Sequence, residues 1–291
     1  MDISVVVPFY NAEQTIEGNI RALVAQTYPP DRYEIIMVDN NATDGSAAIV
    51  QRYPGIRYLQ EPKQGSYAAR NRGIAASTGS IVAFTDPDCV PRTDWLEQIM
   101  RAMSVPGTSI VLGDRRFSAD TRTVALLAAY ESEMAARVFS GRQVKPYYGY
   151  TNNMAVRKEL LAELGSFLEI KRGADNVFVR RAVDTHSCDI VRFAPDVWVR
   201  HLEIKSVWDY WRKKWIYGQV NRANSALGSP GPLSPLDRLR LFKRVRRGEL
   251  GLAASALFFV ALTIGAVCFE LGKTISWKIT SMVPPLPSKN S

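Results

Sequence analysis

Cysteine and histidine are scarce, with three and two residues in a chain of 291. Cys89, Cys188 and Cys268 are far apart and odd in number, which excludes a disulfide scaffold. No paired-cysteine spacing occurs, and with only His186 and His201 a structural zinc site is excluded too. Unpaired thiols point to a reducing compartment. A Gly-x-Gly-x-x-Gly turn is missing after the first apolar run, where Pro8-Phe-Tyr-Asn-Ala stands instead. That argues against a dinucleotide-dependent oxidoreductase. No basic stretch with a cleavage site precedes Ile3–Val7, so the expectation is that the bulk of the chain is not exported. Internal repeats are absent.

What is present is ample apolar material: 46% hydrophobic and 10% aromatic residues, enough for one sizeable core. General disorder is excluded on the same ground. The net charge of +9 is unevenly placed. From Arg238 to Ser291 nine Lys/Arg stand against two Glu, which leaves only +2 for the first 237 residues. The basicity therefore belongs to the C-terminal segment and does not signal a nucleic-acid surface.

Leu250–Phe269 is a run of twenty uncharged residues between Glu249 and Glu270. At about 1.5 Å per residue a helix of that length reaches roughly 30 Å, the hydrocarbon thickness of a bilayer. A transmembrane helix over 250–270 is expected, with a buried core helix or an interfacial helix as the alternatives. Upstream, Arg238, Arg240, Lys243, Arg244, Arg246 and Arg247 place six positive charges in ten residues. This bias puts the preceding chain on the cytoplasmic side, and the basic run would also attract anionic membrane lipids. The expected localisation is single-pass, with the domain before the helix in the cytoplasm.

The first hundred residues alternate strand and helix. Ile3–Val7, Tyr33–Val38, Ile56–Leu59 and Ser80–Thr85 read as strands. Between them, helices are read from the stripe Ile16, Ile20, Leu23, Val24, from the stretch after Asp44-Gly45, and from Ser66–Ala76. Asn11 with Gln14 resembles a capping box. After Pro91 a further helix carries Leu96, Ile99, Met100 and Met103. Such alternation implies an α/β fold with a mostly parallel sheet. Ligands then sit at the carboxyl ends of strands. Polar clusters fall there: Pro8 to Asn11, Asp39 to Asn41, and Asp86-Pro87-Asp88. The second half adds a strand at Ser109–Phe117, helices at Val124–Phe139 and Val207–Ala226, and mixed stretches between. Gly228–Pro235 reads as a linker and Val283–Ser291 as a disordered tail. On the helix from Val207, Trp208, Trp211 and Trp215 fit either core packing or a bilayer boundary.

Asp86 and Asp88 at a strand end can converge on a hard divalent cation. Asp-Pro-Asp is also a common turn, and the pair alone leaves both readings open.

Taken together, the motifs resemble the family 2 glycosyltransferases, which have the GT-A fold. Val5–Asn11 resembles that family's opening strand and nucleoside loop, and Val38–Ser46 its second motif. Gly65, Ala69-Arg70-Asn71, Gly73 and Gly79 match the stretch leading to its metal motif. Thr85–Cys89, Pro91 and Trp95-Leu96 resemble the metal motif and the helix after it. Gly149–Arg157, with Asn153, resembles the segment behind the acceptor site. Gly165-Ser-Phe167, Glu169 and Gly173-Ala-Asp175 resemble the region of the catalytic base. The pattern departs at Ala174, where a second acid is usual, and at Asn176, which replaces a frequent acid. Gln219-Val-Asn-Arg222 lacks the tryptophan of the processive synthases, with Ala223 in its place.

The resemblance implies a sugar donor linked to a nucleoside diphosphate. Asp39 would bond the nucleobase, with Pro8, Tyr10 and Asn11 packed beside it. Asp86 would contact ribose or metal, and Asp88 the Mn2+ or Mg2+ that bridges the diphosphate. Arg70 is either a diphosphate partner or a solvent-facing helix residue. His201 either approaches the metal or is structural. Asp175 would be the general base of an inverting transfer to an acceptor hydroxyl, its bland reading being a helix N-cap. The acceptor would be a glycan or a lipid-linked precursor. A polyprenyl-phosphate sugar synthase and an inactive subunit of a membrane assembly are the alternatives. The expected organisation is a catalytic domain over 1–226, with a donor half (1–117) and an acceptor half (118–226). A linker and basic segment (227–249), the membrane helix (250–270) and a tail (271–291) follow.

Overall fold

A computed structural model describes residues 1–117, 121–140, 147–202, 204–223, 235–246 and 252–274. Its centre is an eight-stranded sheet in the order β3-β2-β1-β4-β7-β6-β8-β5. The strands are β1 (Ile3–Phe9), β2 (Tyr33–Asp39), β3 (Arg57–Gln60), β4 (Ile81–Thr85), β5 (Cys89–Pro91), β6 (Ile110–Phe117), β7 (Asn153–Arg157) and β8 (Val191–His201). β3, β2, β1 and β4 run parallel, β7 runs antiparallel between β4 and β6, and β5 closes the edge antiparallel to β8. This is the GT-A-like arrangement expected from the motifs, mostly parallel in its nucleotide half.

The strands read as continuous apolar runs because both faces are covered. Val5 and Val7 face one core with Ile16, Ile20 and Leu23 of α1 (Ile16–Val24) and Trp95, Leu96 and Ile99 of α4 (Trp95–Met103). On that side α2 (Ser46–Gln51) adds Ile49 and Val50. Val6, between them in sequence, faces the opposite core. There it meets Tyr67, Ala69 and Ile74 of α3 (Ser66–Ala76) and Phe178 and Val179 of α7 (Ala174–Thr185). Leu160 and Leu161 of α6 (Lys158–Leu164) and the far end of α5 (Arg122–Ser140) complete this layer. Gly73 of α3 has no room for a side chain, since a Cβ there would lie 2.3 Å from Val6.

A third cluster lies off the sheet. Val124, Leu127 and Tyr130 of α5 pack with Tyr210 of α8 (Val207–Ala223), Leu241 of α9 (Pro235–Arg246), and Phe258 and Ala261 of α10 (Leu252–Thr274). Within the stretch expected to be linker and juxtamembrane segment, residues 235–246 form a helix, because Leu241 and Phe242 have an apolar surface to cover. The apolar helix extends to Thr274, and Glu270 and Lys273 pair on its surface at 2.8 Å. The Gly/Pro-rich stretch 228–234 and the tail from 275 lie outside the described residues.

α10 is not a free tether. A Cβ at Gly218 of α8 would stand 2.1 Å from the Phe269 carbonyl, and one at Gly272 of α10 2.3 Å from the Trp215 carbonyl. Glycine at both places lets the two backbones touch, as in small-residue helix contacts. Trp211 Nε1 donates to the Ala261 carbonyl at 2.8 Å, and Arg222 donates to the Lys273 and Thr274 carbonyls at 2.9 and 2.8 Å. The last contacts satisfy carbonyls that a helix C-terminus leaves without partners. Trp211 thus packs, while Trp208 is 70% exposed.

The join between the two sheet halves is held by Asn153. Its amide donates to the Asp114 and Val197 carbonyls at 2.7 and 2.9 Å and accepts from Trp95 Nε1 at 2.9 Å. The pairing of β6 with β8 slips at this point, between Gly113 and Asp114, and a Cβ at Gly113 would strike the Val197 carbonyl at 2.1 Å. Asn153→Leu would leave three buried polar groups without partners, each worth about 1–3 kcal/mol. A loss of about 3 kcal/mol or more is expected, a fall in Tm of several degrees by thermal unfolding. An unchanged Tm would show the join to be held elsewhere.

Candidate functional site

The carboxyl ends of parallel β1, β2 and β4 put their polar loops on one edge of the sheet. Each loop is held by its neighbours. The Asn40 amide nitrogen donates to the Phe9 carbonyl at 2.9 Å, and Thr43 N donates to Asn11 Oδ1 at 2.8 Å. Asn11 and Asn41 both have positive φ, 46° and 68°. Asparagine tolerates that region better than most residues. Asn11 is therefore no helix cap, and the capping-box reading is corrected: α1 starts after Thr15, and the Asn11 side chain is spent on the β2 loop.

Asp39 is buried at the end of β2. One carboxylate oxygen accepts from Ala42 N at 2.8 Å and the other from the Tyr58 hydroxyl at 2.7 Å. Each oxygen keeps a lone pair for a further donor. Pro8 is buried beside it and Tyr10 is 52% exposed at the rim.

The Asp86–Cys89 turn is clamped from below by Asn19 of α1, which donates to the Asp86 and Cys89 carbonyls at 3.1 and 2.7 Å. Asn19 is fully buried within the apolar stripe of α1. A polar residue on that stripe was the signal available in the sequence, and motif reading passes over it. Asp86 accepts from Arg70 at 2.5 Å. Arg70 is 4% exposed and lies over the Tyr67 ring, so the solvent-facing alternative is corrected. Its Nε lacks a hydrogen-bond partner among the described residues.

Asp88 lies on the other side of the turn. β5 pairs Cys89 with His201 of β8, which brings His201 Nε2 to 3.6 Å from Asp88 Oδ2. Ligand atoms of Asp88, Cys89 and His201 lie within 4.8 Å of one another. Burial pushes the Cys89 thiol well above its ordinary value, leaving it protonated. A carboxylate and an imidazole remain, with room for oxygen ligands from a substrate, and that donor set fits manganese or magnesium. Asp86 is engaged with Arg70 and stands outside this group.

Asp175 occupies the first turn of α7, behind Gly173. Gly173, at φ 84°, is the residue that precedes the helix, so the N-cap reading of Asp175 is corrected. Its carboxylate accepts from Asn176 N at 2.9 Å and Thr151 N at 3.2 Å, and the Tyr67 hydroxyl faces it. Burial raises the Asp175 carboxyl above its ordinary value, against the opposing pull of Arg70, Tyr67 and the two amides. Asn176, where the family favours an acid, accepts from Gly149 N at 3.0 Å. A Cβ at Gly149 would meet the Asp175 carbonyl at 2.6 Å, so this glycine sets how closely the Tyr150 loop approaches the base.

Tyr10, Arg70, Asp86, Asp175 and His201 line one cavity of about 1150 Å3. Asp39 and Asn11 lie along the adjoining β1–β2 loops. The cavity continues past Asp175 to Tyr150, in the segment behind the acceptor site, and to residues that no motif marks: Arg115, Glu131 and Lys214. Burial would raise the Glu131 carboxyl, but Lys214 at 2.7 Å and the Tyr210 hydroxyl at 2.8 Å hold it below the usual carboxylate range.

Comparison with known proteins agrees with this geometry. Glycosyltransferase AglE of Haloferax volcanii is 34% identical over 193 residues, 62% of this chain and 61% of its own length. This chain thus spans about three-fifths of that relative. Among solved structures, the mannosyltransferase PcManGT of Pyrobaculum calidifontis, in complex with GDP-Man and Mn2+, superposes with a TM-score of 0.68. It is 20% identical and covers 94% of this chain and 86% of its own. TarS of S. aureus in complex with UDP gives 0.57 at 16% identity, covering 94% and 90%. At these identities the likeness shows the GT-A fold alone. The family described as Glycosyl transferase family 2 matches residues 4–165, more than half of the chain. The chain belongs to glycosyltransferase family 2.

Proposed function

We propose that this protein is a metal-dependent, inverting glycosyltransferase that moves a sugar from a nucleoside diphosphate to an acceptor hydroxyl at a membrane face. The observation that carries the reading is one cavity joining Asp86 and His201 to Asp175, with Asp88 against His201. Asp39, with a lone pair left on each oxygen, receives a donor from the nucleobase. Asp88 and His201 are the residues that would hold the cation. When bound, it would supply positive charge for the leaving diphosphate. Arg70, paired with Asp86, adds charge beside it. Asp175 accepts the proton of the acceptor hydroxyl as that oxygen attacks the anomeric carbon from the face opposite the diphosphate. That direction of attack inverts the configuration.

The anchor is α10, whose stretch Ala254–Thr274 is long and apolar enough to cross a bilayer. The contacts along α8 favour an interfacial placement over a single crossing. α8 lies against α10 from Tyr210 to Arg222, where Arg222 reaches the last α10 carbonyls, and exposes Arg212. A perpendicular α10 would carry the Arg212 charge into hydrocarbon, at about 2.5–3.5 kcal/mol. Lying in the interface, α10 instead offers its exposed Leu257, Val260 and Val267 to lipid. Either placement leaves the catalytic domain on one side, and the basic residues of α9 support the cytoplasmic one.

The test is one preparation in mild detergent. Incubation with GDP- and UDP-sugars, Mn2+ and membrane extract as the acceptor source is expected to release nucleoside diphosphate with one donor preferred. Chelation should stop the release. In membranes, alkaline carbonate should release an interfacial α10 and leave a spanning one behind. Absence of nucleoside-diphosphate release from every donor would overturn the reading.

A further inference from the structure

The cavity is longer than a sugar nucleotide requires, and its walls change character along its length. About 1150 Å3 exceeds the range of roughly 300–1000 Å3 usual for a single small-ligand pocket. Beyond Asp175 it passes Arg115 and Tyr150, then runs between α9 and α10 along Phe242, Leu262, Ala266 and Phe269. Eight Lys/Arg line it against four Asp/Glu, so it suits anions beyond the donor diphosphate. Arg115 is the cation to explain. Its guanidinium lies 3.9 Å from the centroid of the Tyr150 ring, and no carboxylate among the described residues pairs with it. The nearby acids are taken: Asp114 by Arg116 at 3.3 Å, and Glu131 by Lys214. Tyr150 precedes Thr151, whose amide bonds Asp175. Arg115 therefore stands between the proposed base and the apolar end.

We infer that the acceptor is a lipid-carried phosphate compound, with its phosphate on Arg115, its hydrocarbon chain along α10 and its reacting hydroxyl at Asp175. This rests on the glycosyl-transfer reading and names its acceptor class. A stacked guanidinium without a carboxylate partner is a phosphate-binding arrangement. Arg238, Thr263, Glu270 and Lys273 also line this end, but its aromatic and aliphatic side chains favour a lipid, each buried methylene of which gains about 0.8 kcal/mol. α10 is also the helix that meets the bilayer, so a lipid chain can enter sideways without leaving an apolar environment.

The experiment measures binding of farnesyl phosphate to the full chain in detergent by calorimetry, beside inorganic phosphate, farnesol and GDP or UDP with Mn2+. Farnesyl phosphate is expected to bind at least tenfold more tightly than either of its parts. Arg115→Gln should weaken it at least tenfold and leave nucleotide affinity unchanged. Arg115→Lys keeps the charge but loses the stacked fork and should weaken it less than Arg115→Gln does, and Ala266→Trp should block it by filling the trough. Equal binding of farnesol would remove the phosphate site, and equal binding of inorganic phosphate would remove the lipid trough. If Arg115→Gln weakened the nucleotide as much as the lipid, Arg115 would belong to the donor and the inference would fall. Farnesyl phosphate binding without any nucleotide binding would instead overturn the glycosyl-transfer reading while the lipid site stood.

Discussion

Asp88→Asn is expected to lower turnover by about 10³-fold or more and to weaken donor binding. A neutral amide is a poor ligand for a hard cation, and charge stabilisation worth several kcal/mol of barrier is lost, at about 1.4 kcal/mol per decade. The fold should survive, because Asp88 sits at a partly exposed turn whose backbone is held by Asn19 and by Leu202 N, which donates to the Asp88 carbonyl at 2.9 Å. Two comparisons isolate the cause. Chelator should reduce the unaltered enzyme to the level of the variant and change the variant no further. Cys89→Ala should leave the response to manganese intact, since a thiol is the wrong partner for a hard cation. The measurement is nucleoside-diphosphate release against manganese concentration. Full activity after chelation would remove the metal from the mechanism, and a shifted metal preference in Cys89→Ala would place the thiol among the ligands.

The donor half was legible because its information is local. An apolar run followed at once by Pro8-Phe-Tyr-Asn, by Asp39-Asn-Asn or by Asp86-Pro-Asp states both the strand and what stands at its end. A parallel sheet then gathers those ends without further information. The acceptor half was not legible in the same way. β7 and α6 are contiguous at Arg157–Lys158 with no turn signal between them, and β8 is interrupted where Pro195 sits in the slipped register opposite Gly113. His201 reaches Asp88 only through the three-residue strand β5, too short to show any period. Arg115 and Glu131 come from a strand and a helix whose patterns mark them as ordinary surface charges. What makes them part of the cavity is the packing of α8 and α10 over them, which depends on glycines 218 and 272 meeting at long range. The run Leu250–Phe269 announced by composition a helix long and apolar enough to cross a membrane. Its second role, as a wall of the cavity, follows only from the surface it covers.

That second role bears on the base. Asp175→Asn keeps size and shape but cannot accept the acceptor proton, so turnover is expected to fall by about 10²–10⁴, the usual contribution of a general base. Donor affinity should change little, because the donor contacts lie at the ends of β1, β2 and β4. In the unaltered enzyme the acid limb of the rate should lie above the ordinary carboxylate range near 3.9, because burial raises this carboxyl. The stability consequence has a definite sign. A carboxyl whose folded pKa is raised contributes stability below its unfolded pKa, and that contribution is lost as pH rises through the folded value. At neutral pH the ionised Asp175 therefore costs the fold something, which asparagine removes. Asparagine also has one acceptor oxygen for two amides, Thr151 and Asn176, and forfeits one of them. The two effects oppose, and the Tm at pH 7 should move by no more than the equivalent of about 1 kcal/mol. A merely structural Asp175 would show the reverse, a lower Tm with turnover nearly intact. An acceptor that attacks through a phosphate oxygen arrives already ionised and needs no base, so it too would leave turnover nearly intact in this variant, but with an unchanged Tm. Turnover with a lipid-carried acceptor, donor affinity and Tm on one variant thus separate a base for a hydroxyl, a scaffold residue and a bystander to phosphate attack.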